Sequence, residues 1–411
     1  MSTYLVDGRC ISTDSVELTG ALGTAHLRRH RPLCLCRPPG LEMYVAQLGE
    51  TFIVKRMPGT GSLHAPDCPS YEPPAEMSGL GRVPAMAITE FPDTGRTKLR
   101  LDFALSRSGR EVTRSHSADR ASGVTSIRRG LALRGLLHYL WDQAQLTRWE
   151  PGFEGRRSWS TVRRHLLIAA EGKIACGRPL SDVLYIPEVF LAEQRPAIAK
   201  RRTAWWERAS RPTPKRRPLV LLLGEVKRIT PARFGYMVVV RHLPDQPFAL
   251  GDDLYRRMAV RFSQDLSLWG RSATLRMIIL ATFAVNGDCA PTLEELLLMP
   301  TNAQWIPVED DYDVRLMDLL HRGGRRFTRC LRYNASATDL LPTAVLLDTS
   351  KPPTPLYVVR ADRTAAYHNP SDPKIAKSWL WRPNESPIPP IPGASSPILR
   401  GLHSCIQTPT G

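Results

Sequence analysis

The chain has 411 residues and a formal net charge of +17 at pH 7. Hydrophobic residues make up 42%, which excludes a globally disordered protein and allows two or three packed domains. No run approaches the ~18 apolar residues of a membrane helix, and the first ten residues lack the pattern of a secretory signal, so we expect no membrane partner.

The eight cysteines argue against a secreted protein held together by disulfides. Cys34, Cys36 and Cys68 lie near a histidine, whereas the other five cysteines are isolated along the chain. A secreted disulfide framework is denser and occurs in shorter chains. We therefore expect a cytoplasmic protein.

Residues 1–75 are predicted to form a small β-rich module. Residues 4–6 have the composition of a short strand, and residues 15–29 that of a helix with a polar cap. The β-branched and aromatic runs at 43–47 and 51–56 flank Gly49, which suits a tight turn, so they predict a β-hairpin. A hairpin brings its two ends close together.

These ends carry the strongest chemical signal in the chain. Cys34 and Cys36 precede the hairpin and His64 and Cys68 follow it, with a 27-residue insert between the two pairs. Thiolate and imidazole are ligands that Zn²⁺ prefers, and four of them make a closed structural site. We therefore predict one structural zinc ion bound by these four residues. The alternative is three ordinary cysteines and a surface histidine.

The remaining chain divides into five stretches by composition. They are weakly patterned strands with a basic linker (76–130), a helical region (131–217), a β-rich α/β region (218–304), a second α/β region (305–363) and a polar, Pro-rich tail (364–411). The β-rich region is expected to hold a single helix at 252–269. The tail is expected to be extended or disordered. The predicted fold class is therefore mixed α/β (α+β).

Several blocks resemble a known family. RPLCLC, MYVAQLG, FIVKRMPGTGSLHAPDC, LRGLLHYLWD, LLLGEVK and VVVRHLPD are similar to those of domain of unknown function 1173, and the similarity covers most of residues 1 to about 360. The resemblance implies a bacterial protein of plasmids and integrative conjugative elements. It implies no established activity.

A fainter resemblance is to the competence protein CoiA, which pairs an N-terminal zinc hairpin with a core like that of restriction endonucleases. Residues 312–321 and the three strand-like runs after them follow the order of such a core. Thr343, Tyr357 and Val359 stand where the resemblance would place the acidic and basic residues of a metal-dependent nuclease. The resemblance therefore implies a degenerate nuclease-like core at 305–363.

Glu225 and Lys227 form the other candidate catalytic pair. They follow a hydrophobic run in a Glu-x-Lys pattern, and alternation along a strand would point both side chains to one face. A carboxylate there could hold a metal ion and the ammonium could polarise a phosphate. The alternative is an ion pair on the exposed face of a strand.

The excess of basic residues predicts a phosphate-rich partner, DNA or RNA, with an acidic protein as the alternative. Basic clusters occur at Arg128–Arg129, Arg156–Arg157, Arg163–Arg164, Lys200–Arg201–Arg202, Lys215–Arg216–Arg217 and Arg325–Arg326, some of them near Trp159, Trp205 and Trp206. Tryptophans beside arginines can combine base stacking with phosphate contact, and the alternative is that they lie in the core.

These observations favour a zinc-containing, basic, non-catalytic nucleic-acid-associated protein of mobile elements. Two other functions stay open. One is an active metal-dependent nuclease that uses Glu225 and Lys227. The other is a protein-interaction module that docks on conjugation or replication machinery.

Overall fold

The computed structural model describes residues 2–108, 129–211, 216–286, 289–336, 339–349, 352–360 and 377–395. Within these ranges the protein is mixed α/β, with seven α-helices and several β-sheets. None of the helices in the described ranges has the length and apolar character to cross a membrane. Most of the predicted basic linker, residues 109–128, lies outside the described residues.

The N-terminal part forms a five-stranded sheet beside one helix. Its elements are β1 (Thr3–Val6), β2 (Arg9–Ser12), α1 (Glu17–Arg28), β3 (Leu33–Cys34), β4 (Leu41–Leu48) and β5 (Thr51–Arg56), with the strand order β2-β1-β3-β4-β5. The predicted hairpin is confirmed: β4 and β5 pair from Leu48↔Thr51 outward, and Gly49 takes a positive φ of 57° in the turn. Met43, Tyr44, Val45 and Ala46 are all buried, so β4 is covered on both faces.

The middle of the chain combines three helices with short strands. The elements are β6 (Ile88–Phe91), β7 (Arg96–Leu99), β8 (Ser106–Ser108), α2 (Leu133–Gln143), β9 (Arg148–Trp149), α3 (Trp159–Ala170), β10 (Lys173–Ala175), β11 (Arg178–Pro179), β12 (Leu184–Tyr185), α4 (Arg195–Ala209) and β13 (Arg216–Pro218). The predicted helical region is thus interrupted by β9–β13. These strands are two or three residues long, too short to show a period-2 pattern.

A closed barrel follows. Its elements are β14 (Val220–Pro231), β15 (Tyr236–Val240), β16 (Leu243–Leu250), α5 (Asp252–Arg261), α6 (Ser263–Arg271), β17 (Arg276–Asn286) and β18 (Cys289–Thr301). The single helix predicted at 252–269 is two helices that meet at Phe262, whose backbone leaves the helical region. Phe262 is buried against the core, so tertiary packing accounts for a break that the helical periodicity does not reveal.

The barrel has the strand order and connections of an OB-fold. Neighbours around it are β14, β15, β16, β18 and β17, and β17 pairs with β14 to close the ring. Within the ring, β16 and β18 are parallel and the other pairs are antiparallel, and the helical segment lies between the third and fourth strands. Outside the ring, β12 pairs with β14 in parallel. β14 pairs with β17 through its first half and with β15 through its second half. A five-stranded Greek-key barrel with this arrangement is the OB-fold.

The C-terminal part is a second five-stranded sheet. It comprises α7 (Asp311–Arg322), β19 (Phe327–Arg329), β20 (Ala344–Leu346), β21 (Thr354–Val358) and β22 (Trp379–Trp381), with the strand order β22-β21-β20-β19-β9. The predicted helix and the three predicted strands after it are confirmed. Asp310 caps α7 by accepting a hydrogen bond from the Asp313 backbone N–H, and the helix buries Leu316, Met317 and Leu320.

Part of the predicted tail is ordered, so the expectation of disorder is wrong for residues 377–395. β22 adds to the sheet parallel to β21, and Trp379 and Trp381 are buried in the core. The Trp379 indole N–H donates to the Pro390 carbonyl at 3.0 Å, and Ile388 and Ile391 pack on the same core. The Pro-rich composition suggested a solvated chain, but two tryptophans give the segment enough apolar area to dock. Residues 361–376 and 396–411 lie outside the described residues.

The docking of this segment predicts a large loss of stability in Trp381→Ala. The Trp381 side chain is 3% exposed, and removing a buried aromatic side chain costs about 3–5 kcal/mol in the free energy of unfolding. Chemical denaturation monitored by circular dichroism measures the change. Leu27→Ala is the control, because Leu27 is 83% exposed and its loss should change stability by less than ~0.5 kcal/mol. Equal stability of Trp381→Ala and the parent would mean that the segment is not docked.

His138 on α2 predicts acid destabilisation. Burial lowers the pKa of His138 to about 3, and its Nδ1 accepts a hydrogen bond from the Tyr333 backbone N–H at 2.9 Å, so it is neutral in the fold. The unfolded chain binds a proton near its ordinary pKa of about 6.5, so stability falls as pH drops below ~6.5, by up to ~1.4 kcal/mol per pH unit from this group.

The comparison is between the parent and His138→Gln, with the free energy of unfolding measured from pH 7 to pH 5. We expect the variant to be less stable at pH 7 and to lose less stability on acidification. Parallel curves for the two proteins would show that His138 does not titrate on unfolding.

Candidate functional site

The four predicted metal ligands lie at the base of the β4–β5 hairpin. Cys34 ends β3, and Cys36 follows two residues later, just before the chain enters β4. After β5, a short helical turn at Gly61–Leu63 leads to His64. The Cys68 backbone N–H then donates to the Ala65 carbonyl at 2.8 Å, closing a turn that folds Cys68 back toward His64. The hairpin therefore brings the Cys34–Cys36 pair close to the His64–Cys68 pair.

The ligand atoms of these four residues, the CCHC cluster, converge. All lie within 4.8 Å of one another. The Sγ atoms of Cys34 and Cys68 are 3.7 Å apart, and His64 Nδ1 lies 3.3 Å from Cys36 Sγ and 3.7 Å from Cys68 Sγ. Tetrahedral zinc with bonds of ~2.3 Å to sulfur and ~2.0 Å to nitrogen requires edges of about 3.8 Å and 3.5 Å. The cluster can hold a metal ion, and its dimensions are compatible with zinc.

Three of the four residues in the cluster are buried, and backbone donors surround two of the sulfurs. Cys34 and His64 are fully buried, and Cys68 is 4% exposed. The backbone N–H groups of Ala65 and Ser70 point at Cys36 Sγ and Cys68 Sγ, at 3.5 Å and 3.4 Å. Hydrogen bonds from the neighbouring thiols lower the pKa of Cys68 well below its usual range, whereas hydrogen bonds with Cys36 and Cys68 raise the pKa of Cys34. Backbone donors around thiolates are a common support for metal ligands.

The CCHC cluster joins two parts of the protein. Its cysteines share one hydrophobic core with residues of the C-terminal sheet, among them Val345 and Leu347. Arg148 of β9 donates to the Cys68 carbonyl at 2.7 Å and reaches the Asp67 carbonyl at 3.5 Å. The metal loop is thus fixed to the edge strand of the other sheet by Arg148, a residue that the sequence does not mark as functional. Arg148 stands beside Trp149 in a mixed polar and apolar stretch, and no local pattern marks it.

Glu225 and Lys227 do not share one environment. Glu225 is 1% exposed, whereas Lys227 is exposed, because a register shift between Val226 and Arg228 interrupts the alternation of β14. The Glu225 carboxylate accepts from Arg241 Nε at 2.8 Å and from Arg276 at 3.3 Å. Two guanidinium groups, and not the Lys227 ammonium, are therefore its charge partners.

The three residues at the nuclease-like positions are buried. Thr343, Tyr357 and Val359 are 3–4% exposed, and the Thr343 backbone N–H donates to the Leu356 carbonyl at 2.7 Å. These side chains support the packing of β20 and β21.

Carboxylates in the same region are held by arginines. Asp313, fully buried, accepts from Arg329 and from Arg360, each at 2.6 Å. Asp348 accepts from Arg325 at 2.7 Å. Among the described residues, the CCHC cluster is the one group of three or more histidine, cysteine or acidic side chains whose ligand atoms converge.

The basic clusters predicted from sequence divide into structural and surface members. Arg157 donates to four backbone carbonyls, Arg202 forms a buried ion pair with Asp245 at 3.0 Å, and Arg163 Nε donates to the Ile186 carbonyl at 3.0 Å. Arg164, Lys200 and Arg201 are exposed.

Trp159 and Trp206 are 6% exposed, so these two tryptophans lie in the core. They are not available for base stacking. Arg128 and Lys215 lie outside the described residues. An exposed basic and aromatic turn, Arg233-Phe234-Gly235, was not predicted. The feature of the sequence that could have indicated it is a phenylalanine in a turn between two strands.

Comparison with known proteins identifies a family. Residues 4–384 match the family described as Protein of unknown function (DUF1173). Searches of curated proteins and of solved structures gave no match. Because the match covers nearly the whole chain, the protein belongs to the DUF1173 family.

Proposed function

We propose that this protein is a zinc-containing, non-catalytic nucleic-acid-binding protein of plasmids or integrative conjugative elements. The observation that carries the proposal is an OB-type barrel in a chain with a net charge of +17. OB barrels bind oligonucleotides and oligosaccharides, and a strongly basic chain favours the phosphate polymer. The mobile-element setting comes from the family resemblance alone.

Zinc has a structural role in this proposal. Three sulfurs and one imidazole occupy the four positions of a tetrahedral site, so no position is left for a substrate. The cluster lies between the N-terminal sheet and the C-terminal sheet, in a core that contains residues from both. The metal would therefore hold the two sheets together.

The absence of catalysis is supported by the partners of the acidic groups. Magnesium-dependent hydrolysis of phosphodiesters needs carboxylates that are able to bind the metal. Glu225, Asp313 and Asp348 each form ion pairs with arginines instead. Before Glu225 could bind a metal ion, its ion pairs with Arg241 and Arg276 would have to break.

Zinc binding predicts about one zinc ion per chain in the purified protein, measured by elemental analysis. Cys68→Ser should lower the zinc content and the stability together, because structural zinc contributes on the order of 10 kcal/mol in small zinc modules. We expect a loss of at least several kcal/mol, visible in thermal unfolding.

Cys176→Ser is the matched control, since Cys176 is exposed and is not part of the CCHC cluster. It should retain full zinc content and stability. Protein that carries no stoichiometric metal would contradict the zinc assignment.

Nucleic-acid binding predicts retention of labelled DNA or RNA that weakens with salt. Neutralising several phosphates makes the affinity fall at least about tenfold between about 50 mM and 200 mM salt. Fluorescence anisotropy across this range measures the effect, and parallel titrations with DNA and RNA decide the preference between them.

The same samples test the two other functions. Cleavage of the probe that requires Mg²⁺ and disappears in Glu225→Ala would replace this proposal with a nuclease. Failure to bind any nucleic acid at low salt would contradict it and favour a protein-interaction module.

A further inference from the structure

Helix α4 packs against one part of the barrel. It places Arg202 against Asp245 of β16, and Trp206 contacts Phe248 and Phe283. Val239, in the second half of β15, is 6% exposed. Helix α4 thus occupies the part of the barrel away from the β14–β15 turn.

The tip of the β14–β15 hairpin is exposed and apolar. Phe234 is 83% exposed, although burial of a phenylalanine ring stabilises a protein. The Arg233 guanidinium lies over the Phe234 ring, 5.3 Å from its centre. An exposed ring with a stacked guanidinium is the combination that holds an unpaired nucleobase.

The glycine after Phe234 fixes the turn against the start of α5. Gly235 has a positive φ of 72°, and a Cβ there would lie 2.6 Å from the Leu250 carbonyl oxygen. The next residue, Tyr236, stacks on Tyr255 of α5 with ring centres 3.4 Å apart. The hairpin tip and the helix therefore form one surface.

This surface is basic. Lys227 and Arg228 on β14 are exposed, as is Arg233 in the turn, and α5 adds exposed Arg256, Arg257 and Arg261. Two acidic residues, Asp252 and Asp253, begin the helix, and Asp253 pairs with Arg257 at 3.1 Å. Six basic side chains against two acidic ones leave an excess of positive charge beside the exposed ring.

Outward-facing side chains continue from the tip along the strands. Thr230, Met237 and Ala249 lie opposite one another on β14, β15 and β16, and each is half-buried. The second and third strands, with the turn between the first and second, form the ligand-binding face of OB barrels. The basic and aromatic tip lies at one end of that face.

We propose that this surface, called the hairpin face and made of Lys227, Arg228, Arg233, Phe234 and the adjoining row, binds single-stranded nucleic acid. The inference rests on the proposed function and specifies its site and substrate. A single strand offers a free base to stack on Phe234, whereas the bases of a duplex are already stacked on each other. The arginines and the lysine contact the backbone phosphates.

The test measures anisotropy of labelled single strands of about 20 thymidines or uridines, a length above the ~4–16-nucleotide site of one OB-fold. Phe234→Ala should weaken binding about 5- to 100-fold, the loss expected when one base-stacking partner is removed. Thermal stability should be unchanged because the ring is exposed. Phe234→Trp should bind with an affinity near that of the parent, because tryptophan also stacks on a base. If residue 234 had only a structural role, the two variants would not differ in this way. Leu27→Ala, which removes another exposed apolar side chain, should bind like the parent.

A matched pair of charge variants locates the phosphate-binding side chains. The slope of log affinity against log salt concentration changes by roughly 0.7 for each phosphate that is no longer neutralised. Lys227→Ala/Arg228→Ala/Arg233→Ala removes three charges, so it should make this slope shallower by about 2. Arg164→Ala/Lys200→Ala/Arg208→Ala removes three exposed charges outside the hairpin face and should leave the salt dependence near that of the parent. Equal effects of the two triple variants would overturn the hairpin face as the site.

The outcomes separate this inference from the proposed function. Unchanged single-strand affinity in Phe234→Ala, or tighter binding to duplex than to single strands, overturns the hairpin face and leaves nucleic-acid binding in place. Failure of the parent protein to bind any nucleic acid overturns both.

Discussion

Three sulfurs and one ring nitrogen converge at the base of a hairpin, where the N-terminal sheet packs against the C-terminal sheet. Cys34, Cys36, His64 and Cys68 contribute ligand atoms that all lie within 4.8 Å of one another, inside a core that also contains residues of the C-terminal sheet. Arg148 adds two hydrogen bonds from β9 to the same loop. A metal bound there would stabilise the joint between the sheets as well as the hairpin itself, because it would restrain the loop on which both depend.

Several buried arginines stabilise the rest of the fold. Arg157, Arg202 and Arg329 are bound to backbone carbonyls or to buried carboxylates. Removing one partner of such a buried pair leaves an uncompensated charge, which costs several kcal/mol. A part of the large basic excess therefore belongs to the interior, and the proposed phosphate-binding surface consists of arginines and lysines that remain exposed.

The proposed surface lies on the barrel, at the turn between β14 and β15. Strand β14 pairs with β15, and β15 pairs with β16, as far as the turn that carries the exposed Arg233 and Phe234. The turn is fixed by close contact of Gly235 with the start of α5. A rigid turn that carries an exposed ring loses little conformational freedom on binding, which favours affinity.

Local features of this protein followed from sequence alone. The hairpin at Gly49, the helix at Asp311–Arg322 and the spacing of the four metal ligands were predictable, because turn residues, helical periodicity and paired ligands act over short distances. Closure of the barrel, the burial of Glu225 between Arg241 and Arg276, and the docking of Trp379 and Trp381 were decided by the tertiary structure. Each of these depends on strand pairing or charge pairing between residues that are distant in sequence. A local pattern does not specify which partner, among many of the same type, a strand or a charge will meet in the folded chain.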